Sequence, residues 1–277
     1  MRRFERERAF LKTDFEMLKG VKTGAASGVP QPEAEKPAEE GQLLIALPKP
    51  SKDVVTKANV FDCIGDRESV RKYVDEALTL EELSYLLWST QGVRKITDAG
   101  RIMRTVPSAG GTNTFETYIF VRKVDGLAQG IYRYQPFEHR LVFLKEVEDM
   151  AALIDEMTMA ERQPFVPYFA GKASVIFAWS TVPYRAEWKF DVQAHKKILI
   201  DVGHVCQNLY IAGESLDAGV CAIGIYNQNL MDQLLDLDGD EEMVIYLASA
   251  GRKITGYGGG IENKKALLEL EGIVYKD

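Results

Sequence analysis

Residues 194–217 carry the pattern that most restricts how this chain can fold. Ile198, Val202, Val205, Leu209, Ala212 and Leu216 step by fours and threes, and a second row runs through Leu199, Gly203, Cys206, Tyr210 and Gly213. Residues three and four apart share a helix face, so two adjacent apolar rows predict a helix buried over most of its circumference. Gly203, Ala212 and Gly213 allow close approach by a neighbour, which suits a core helix or a seam between subunits. His204 falls inside this helix and reads as a satisfied interior residue, whereas His139 and His195 read as solvent-facing.

The elements around it are mixed in order. Thr79 is a natural N-cap and Glu82 completes a capping box for a helix whose stripe is Leu80, Leu83, Leu86 and Leu87, ending at Gly92. Residues 102–114 read as a loop; 117–121, 130–134 and 140–144 as strands; 148–159 as a helix; and the apolar run 173–179 as a central strand. A strand at 219–224, a short helix at 228–235, a strand at 243–248, a glycine-rich loop at 256–260 and a closing helix at 262–270 follow. This order lacks the βαβα rhythm of a dinucleotide-binding domain, and no G-x-G-x-x-G or P-loop motif is present.

The first 50 residues differ from the rest, so the chain divides into an N-terminal helix and arm over 1–50 and a domain over 51–277. Residues 4–19 are helical in character, with Phe10, Leu11, Phe15 and Leu18 near one stripe. Pro30, Pro32, Pro37, Pro48 and Pro50 then forbid helix and predict an extended arm. Leu43, Leu44, Ile45 and Leu47 are apolar cargo that a mere linker would not carry, which points to an arm wrapping a partner subunit.

The formal net charge of −7 shows none of the basic excess of a nucleic-acid binder. No apolar run is long enough to span a membrane, and Met1 to Glu5 mixes both charges rather than opening a signal peptide. Cys63, Cys206 and Cys221 are odd in number and far apart, and neither they nor the histidines have metal-ligand spacing. A cytoplasmic protein without a metal site is expected.

Three weak features suggest a phosphate-bearing ligand. Arg67, Ser69 and Arg71 alternate, so an extended backbone would turn two guanidinium forks and a hydroxyl to one side. Pro107 to Asn113 is small, polar and glycine-rich, which lets backbone N–H groups approach a ligand. Arg252 follows a strand end, within reach of a phosphate.

Taken in order, these features resemble the nitroreductase-like FMN flavoproteins. The likeness runs from Arg67-x-Ser69-x-Arg71 through Leu83-x-x-Leu86-Leu87-Trp88-x-x-Gln91-Gly92 and Arg104-x-x-Pro107-Ser108-Ala109-Gly110-Gly111. It continues through Gly126-Leu127-x-x-Gly130-Ile131-Tyr132-x-Tyr134 and Asp201-x-Gly203-His204-x-x-Gln207-Asn208-Leu209 to Ala250-Gly251-Arg252. It covers about residues 60–253 and is similar to the SagB-type branch, related to thiazole- and oxazole-forming dehydrogenases.

The resemblance implies an α+β fold with a central, mostly antiparallel sheet flanked by helices, in an intertwined homodimer with FMN at the subunit interface. Arg67, Ser69, Arg71 and Arg252 would hold the phosphate and ribityl chain. Pro107, Ser108, Ala109, Gly110, Gly111 and Asn113 would line the isoalloxazine, with Ala222, Ile223 and Gly224 covering it. NADH or NADPH is the implied reductant and a nitroaromatic or quinone the implied acceptor. The alternatives are a peptide-modifying (azoline) dehydrogenase with Lys189 as base, and a flavin-binding protein without turnover. Thiazole-forming members carry a Lys-Tyr pair where this chain has Lys189-Phe190, so the lysine is kept and the tyrosine hydroxyl is missing. Thr112 to Phe115 also replaces the family's aromatic-proline run.

Overall fold

The computed structural model describes residues 3–98 and 100–254. The strands are β1 (Leu44–Ala46), β2 (Val93–Ile96), β3 (Ile102–Arg104), β4 (Phe115–Val121), β5 (Gly130–Gln135), β6 (Arg140–Glu146), β7 (Val175–Thr181), β8 (Ala218–Ile223) and β9 (Met243–Arg252). The helices are α1 (Glu5–Phe10), α2 (Val60–Asp66), α3 (Leu80–Gln91), α4 (Met150–Met157), α5 (Tyr184–Phe190), α6 (Ala194–Ser215) and α7 (Gln228–Leu234). Seven strands form one antiparallel sheet in the order β1-β6-β5-β4-β7-β9-β8, and β2 and β3 pair as a separate hairpin. The glycine-rich loop at 256–260 and the closing helix at 262–270 lie outside the described residues.

Both faces of the sheet are covered, which is why its central strands β4 and β7 are buried along their whole length rather than at alternate residues. Ile119, Val121, Phe177 and Trp179 pack with Leu83, Leu86 and Leu87 of α3 and with Ile198, Val202 and Val205 of α6. Tyr118, Phe120, Ile176 and Ala178 turn the other way, onto Met150, Ile154 and Met157 of α4 and Met231 of α7. The capping box of α3 is present: Glu82 N–H donates to Thr79 Oγ1 at 3.2 Å, and Thr79 N–H donates to Glu82 Oε2 at 2.8 Å.

Four expectations are corrected. The N-terminal helix stops at Phe10, because Asp14 accepts from Glu16 N–H and starts a separate 3-10 turn at Phe15–Leu18. The proline-rich arm lies along its own chain. Its Leu44–Ala46 becomes edge strand β1 on β6, Arg104 donates to Ala34 O, Arg133 to Pro37 O and Gln135 to Lys36 O. Lys36 adds an ion pair of 2.6 Å to Glu242, a carboxylate that also accepts from Tyr118 and Ser180. Leu47 and Ile45 pack against the core of the same chain beside a sheet edge whose backbone groups need partners, while Leu43 and Leu44 stay exposed. His204 is exposed, on the side of α6 that leaves the core, and His139 is half-buried between Tyr134 Oη and Ser84 Oγ, both at 2.7 Å. Finally, residues 102–104 pair with β2 instead of forming a loop.

Candidate cofactor and substrate site

The segment from Arg67 to Tyr73 is extended, as its alternation predicts. Asn59 caps α2, whose last turn hands over to Arg67 at φ −55° and ψ 126°. Val70 N–H then donates to Val220 O at 2.9 Å, which lays the segment along the outer edge of β8. Val70 turns into the core and occupies the space above Gly219, where a Cβ would stand 2.5 Å from it. Arg67, Ser69 and Arg71 are left half-exposed on the other side.

Tyr210 of α6 ties this segment to β8. Its hydroxyl is 2.9 Å from Ser69 Oγ and accepts from Ala222 N–H at 2.8 Å, while the Arg67 guanidinium lies 5.3 Å from its ring centroid. Burial pushes the Tyr210 phenol above its ordinary value, so the hydroxyl stays neutral and free to bridge. Arg71 turns aside: its guanidinium lies 5.1 Å from the Phe165 ring and 5.9 Å from Phe169, and donates to Ser69 O at 3.2 Å. Among the described residues neither Arg67 nor Arg71 is paired with a carboxylate. Two unneutralised guanidiniums beside a hydroxyl are a donor set that suits a phosphate.

A second group forms around Pro107 to Asn113. Gly110, Gly111 and Asn113 hold φ of 58°, 70° and 49°, so the chain turns tightly through the left-handed region. Asp201 of α6 anchors the loop by accepting from Ala109 N–H at 2.7 Å. Burial raises the Asp201 carboxyl above its usual range, opposed by the bonds from Ala109 N–H and Ser108. Lys189 of α5 donates to Gly110 O at 2.7 Å. Beside the loop lies a cleft of about 540 Å³ lined by Pro107, Ser108, Gly110, Gly111, Asn113 and Lys189, with Arg94, Arg101 and Arg104 from the β2–β3 hairpin.

The two groups sit at different points of α6. Asp201 and Tyr210 are nine residues apart, or about 13.5 Å along the helix at roughly 1.5 Å per residue. Arg252 joins neither. Its guanidinium is held by the Glu82 carboxylate at 2.8 and 3.0 Å, on the capping turn of α3. Ala222 is half-buried, Ile223 buried and Gly224 exposed at the end of β8, next to the Tyr210 bridge.

Sequence reading missed Tyr210, Asp201, Arg94 and Arg101. Tyr210 stood in an apolar row, and the available signal was its hydroxyl, which needs a partner once buried. Asp201 sits in the first turns of a buried helix, where a carboxylate must find donors. No local pattern marks the two arginines, because β2 is four residues long and residues 93–101 carry no period of their own.

A family model, described as the Nitroreductase family, matches residues 64–252. The chain belongs to the nitroreductase family. A Methanocaldococcus jannaschii protein named as a nitroreductase is 32% identical over 200 residues, covering 72% of this chain and 94% of its own. Among solved structures, one from Ralstonia eutropha JMP134, also named as a nitroreductase, superposes with a TM-score of 0.63 at 23% identity, over 79% of this chain and 93% of that one. The Escherichia coli microcin synthetase McbBCD complex with truncated pro-MccB17 bound gives a TM-score of 0.58 at 13% identity, over 90% of this chain and 85% of that one. At these identities the two structures carry the fold alone. The nitroreductase-family fold of this chain is therefore an antiparallel sheet between helices, and among its described residues no helix is long and apolar enough to cross a membrane.

Proposed function

We propose that this nitroreductase-family oxidoreductase binds FMN and passes reducing equivalents from NADH or NADPH to a small organic acceptor such as a nitroaromatic or quinone. The observation that carries this reading is the group Arg67, Ser69, Arg71 and Tyr210, whose unpaired guanidiniums suit the nearly dianionic phosphate of FMN. FMN, when bound, supplies two-electron transfer between the two substrates. This chain's part is to hold and orient. Arg67 and Arg71 neutralise the phosphate, and the Tyr210 bridge fixes Ser69 against Ala222. With Ala109 N–H given to Asp201 and Gly111 N–H to Ser108 O, the N–H groups of Ser108 and Gly110 and the second amide hydrogen of Asn113 are the donors that would face the ring edge. With a nitroaromatic the balance is R–NO2 + NAD(P)H + H⁺ → R–NO + NAD(P)⁺ + H2O.

The reading includes a homodimer. The phosphate group and the Pro107 loop lie about 13.5 Å apart along α6, and the face of α6 that spans them exposes Leu199, Ile200, Gly203 and His204. Two copies packed on that face would bring the phosphate group of one against the loop of the other. Arg252, held by Glu82, serves the phosphate only if that pair opens or is shared.

The test is the absorbance of purified protein with added FMN, followed by NADH and NADPH oxidation with a nitroaromatic. A flavin band that survives gel filtration, and that Arg67→Ala with Arg71→Ala removes while the dimer persists, is expected. Absence of the band in the natural protein refutes the reading. A second reading, a peptide-modifying dehydrogenase with Lys189 as base, draws on the presence of Lys189 in the cleft lining. It requires flavin-dependent oxidation of an azoline-bearing peptide, lost in Lys189→Met.

A further inference from the structure

The cleft beside the Pro107 loop is cationic on an anionic protein. Arg94, Arg101, Arg104 and Lys189 line it, and among the described residues no carboxylate does, although the chain as a whole carries a net charge of −7. Two of the four cations are already committed. Arg104 is buried, donates to Gln91 Oε1 and Ala34 O, and lies near the carboxylates of Glu116 and Glu35. Lys189 gives its ammonium to Gly110 O.

Arg94 and Arg101 are different. Both are exposed, and among the described residues neither has an ion pair. They are nonetheless positioned. Arg94 Nε donates to Arg104 O at 2.9 Å, which fixes the direction of its side chain while leaving the terminal nitrogens of the fork unspent. Arg101 is held through its backbone, its N–H donating to Thr97 Oγ1 at 3.0 Å and its carbonyl accepting from Thr97 N–H at 2.9 Å. The hairpin is fastened to the body by Thr105 N–H on Gly92 O and by Thr105 Oγ1 on Trp88 O. Like charges gathered around one concavity repel each other, and an oxyanion in the concavity removes that cost.

We propose that this cleft selects the acceptor by its anionic end. A carboxylate or phosphate carried on a small organic acceptor would be gripped by Arg94 and Arg101, with its reducible part toward Gly110, Gly111 and Asn113. This rests on the oxidoreductase reading above for the word acceptor; the oxyanion site itself stands on the cleft alone.

The probes are 4-nitrobenzoate and its neutral methyl ester, titrated calorimetrically into the purified full-length protein, with NADH titrated separately. The natural protein is expected to bind the acid more tightly than the ester. Arg94→Gln with Arg101→Gln, both exposed and checked for an unchanged circular dichroism spectrum, is expected to weaken the acid about tenfold, at roughly 0.7 kcal/mol per exposed charged contact, with the ester unchanged. Equal losses for acid and ester, no loss for either, or a loss confined to NADH overturns the proposal, the last by assigning the oxyanion to the reductant. Flavin content of the same samples is read by absorbance. A missing flavin band refutes the cofactor reading, and the titration still decides the oxyanion site.

Discussion

Tyr210→Phe isolates the contact that joins the two strands of the phosphate group. The substitution keeps the ring beneath Arg67 and deletes only the hydroxyl. Two bonds are lost, to Ser69 Oγ at 2.9 Å and from Ala222 N–H at 2.8 Å. The first is an ordinary side-chain bond worth about 1 kcal/mol. The second leaves a half-buried backbone N–H on the outer edge of β8 without a partner, at a cost of about 1 kcal/mol, the low end for an orphaned donor. The expected destabilisation is about 2 kcal/mol, or roughly 4–8 °C in midpoint for a domain of this size. Thermal unfolding of the apoprotein by circular dichroism measures it, and FMN affinity by fluorescence quenching is expected to weaken about tenfold as Ser69 loses its alignment. Tyr210→Leu also removes the cation–π contact and should cost about 0.5–1 kcal/mol more. An unchanged midpoint together with unchanged FMN affinity in Tyr210→Phe would refute the bridge.

Gly110→Ala tests the loop against an internal control. Both Gly110 and Gly126 have positive φ, 58° and 76°, but only at Gly110 would a Cβ meet neighbours, 2.7 Å from Phe190 Cζ and 2.9 Å from Lys189 Cε. Gly126→Ala should cost about 1 kcal/mol of backbone strain and Gly110→Ala about 1–2 kcal/mol more, read from denaturant midpoints; equal costs would mean that Phe190 and Lys189 yield freely. Glu35 in the arm tests pH dependence. Burial pushes its carboxyl up to about 7, opposed by the bond from Phe137 N–H. The folded value lies above the unfolded one near 4.5, so the folded chain holds the extra proton between them and stability falls as pH rises through that window. Melting temperatures measured from pH 4.5 to 7.5 should decline in the natural protein and be flatter in Glu35→Gln; parallel profiles would remove Glu35 from the account.

Much of the architecture was legible because it is written in short-range periodicity. The first apolar row of α6, the capping box of α3 and the apolar run of β7 are placed as their patterns predict, whereas Leu199 and Gly203 of the second row of α6 are exposed. The extension of Arg67 to Arg71 was legible for the same reason. Short polar elements were not: α5 starts after Pro183 with no side-chain cap, and the β2–β3 hairpin is three to four residues per strand, too few for a period to register. His204 shows the limit of periodicity itself, since the rows said that most of α6 is buried but not which strip leaves the core.

What the sequence determined alone is therefore the longer elements, the main buried row of α6 and the order of motifs that identifies the family, because these depend on neighbours within a few residues. What only the tertiary structure decided is pairing. The arm lies on its own sheet, Arg252 meets Glu82 across a separation of 170 residues, and the Tyr210 hydroxyl meets Ser69 across 141. The physical reason is that a polar group's free energy is set by whichever partner the fold brings within hydrogen-bond reach, and nothing in the local pattern specifies that partner.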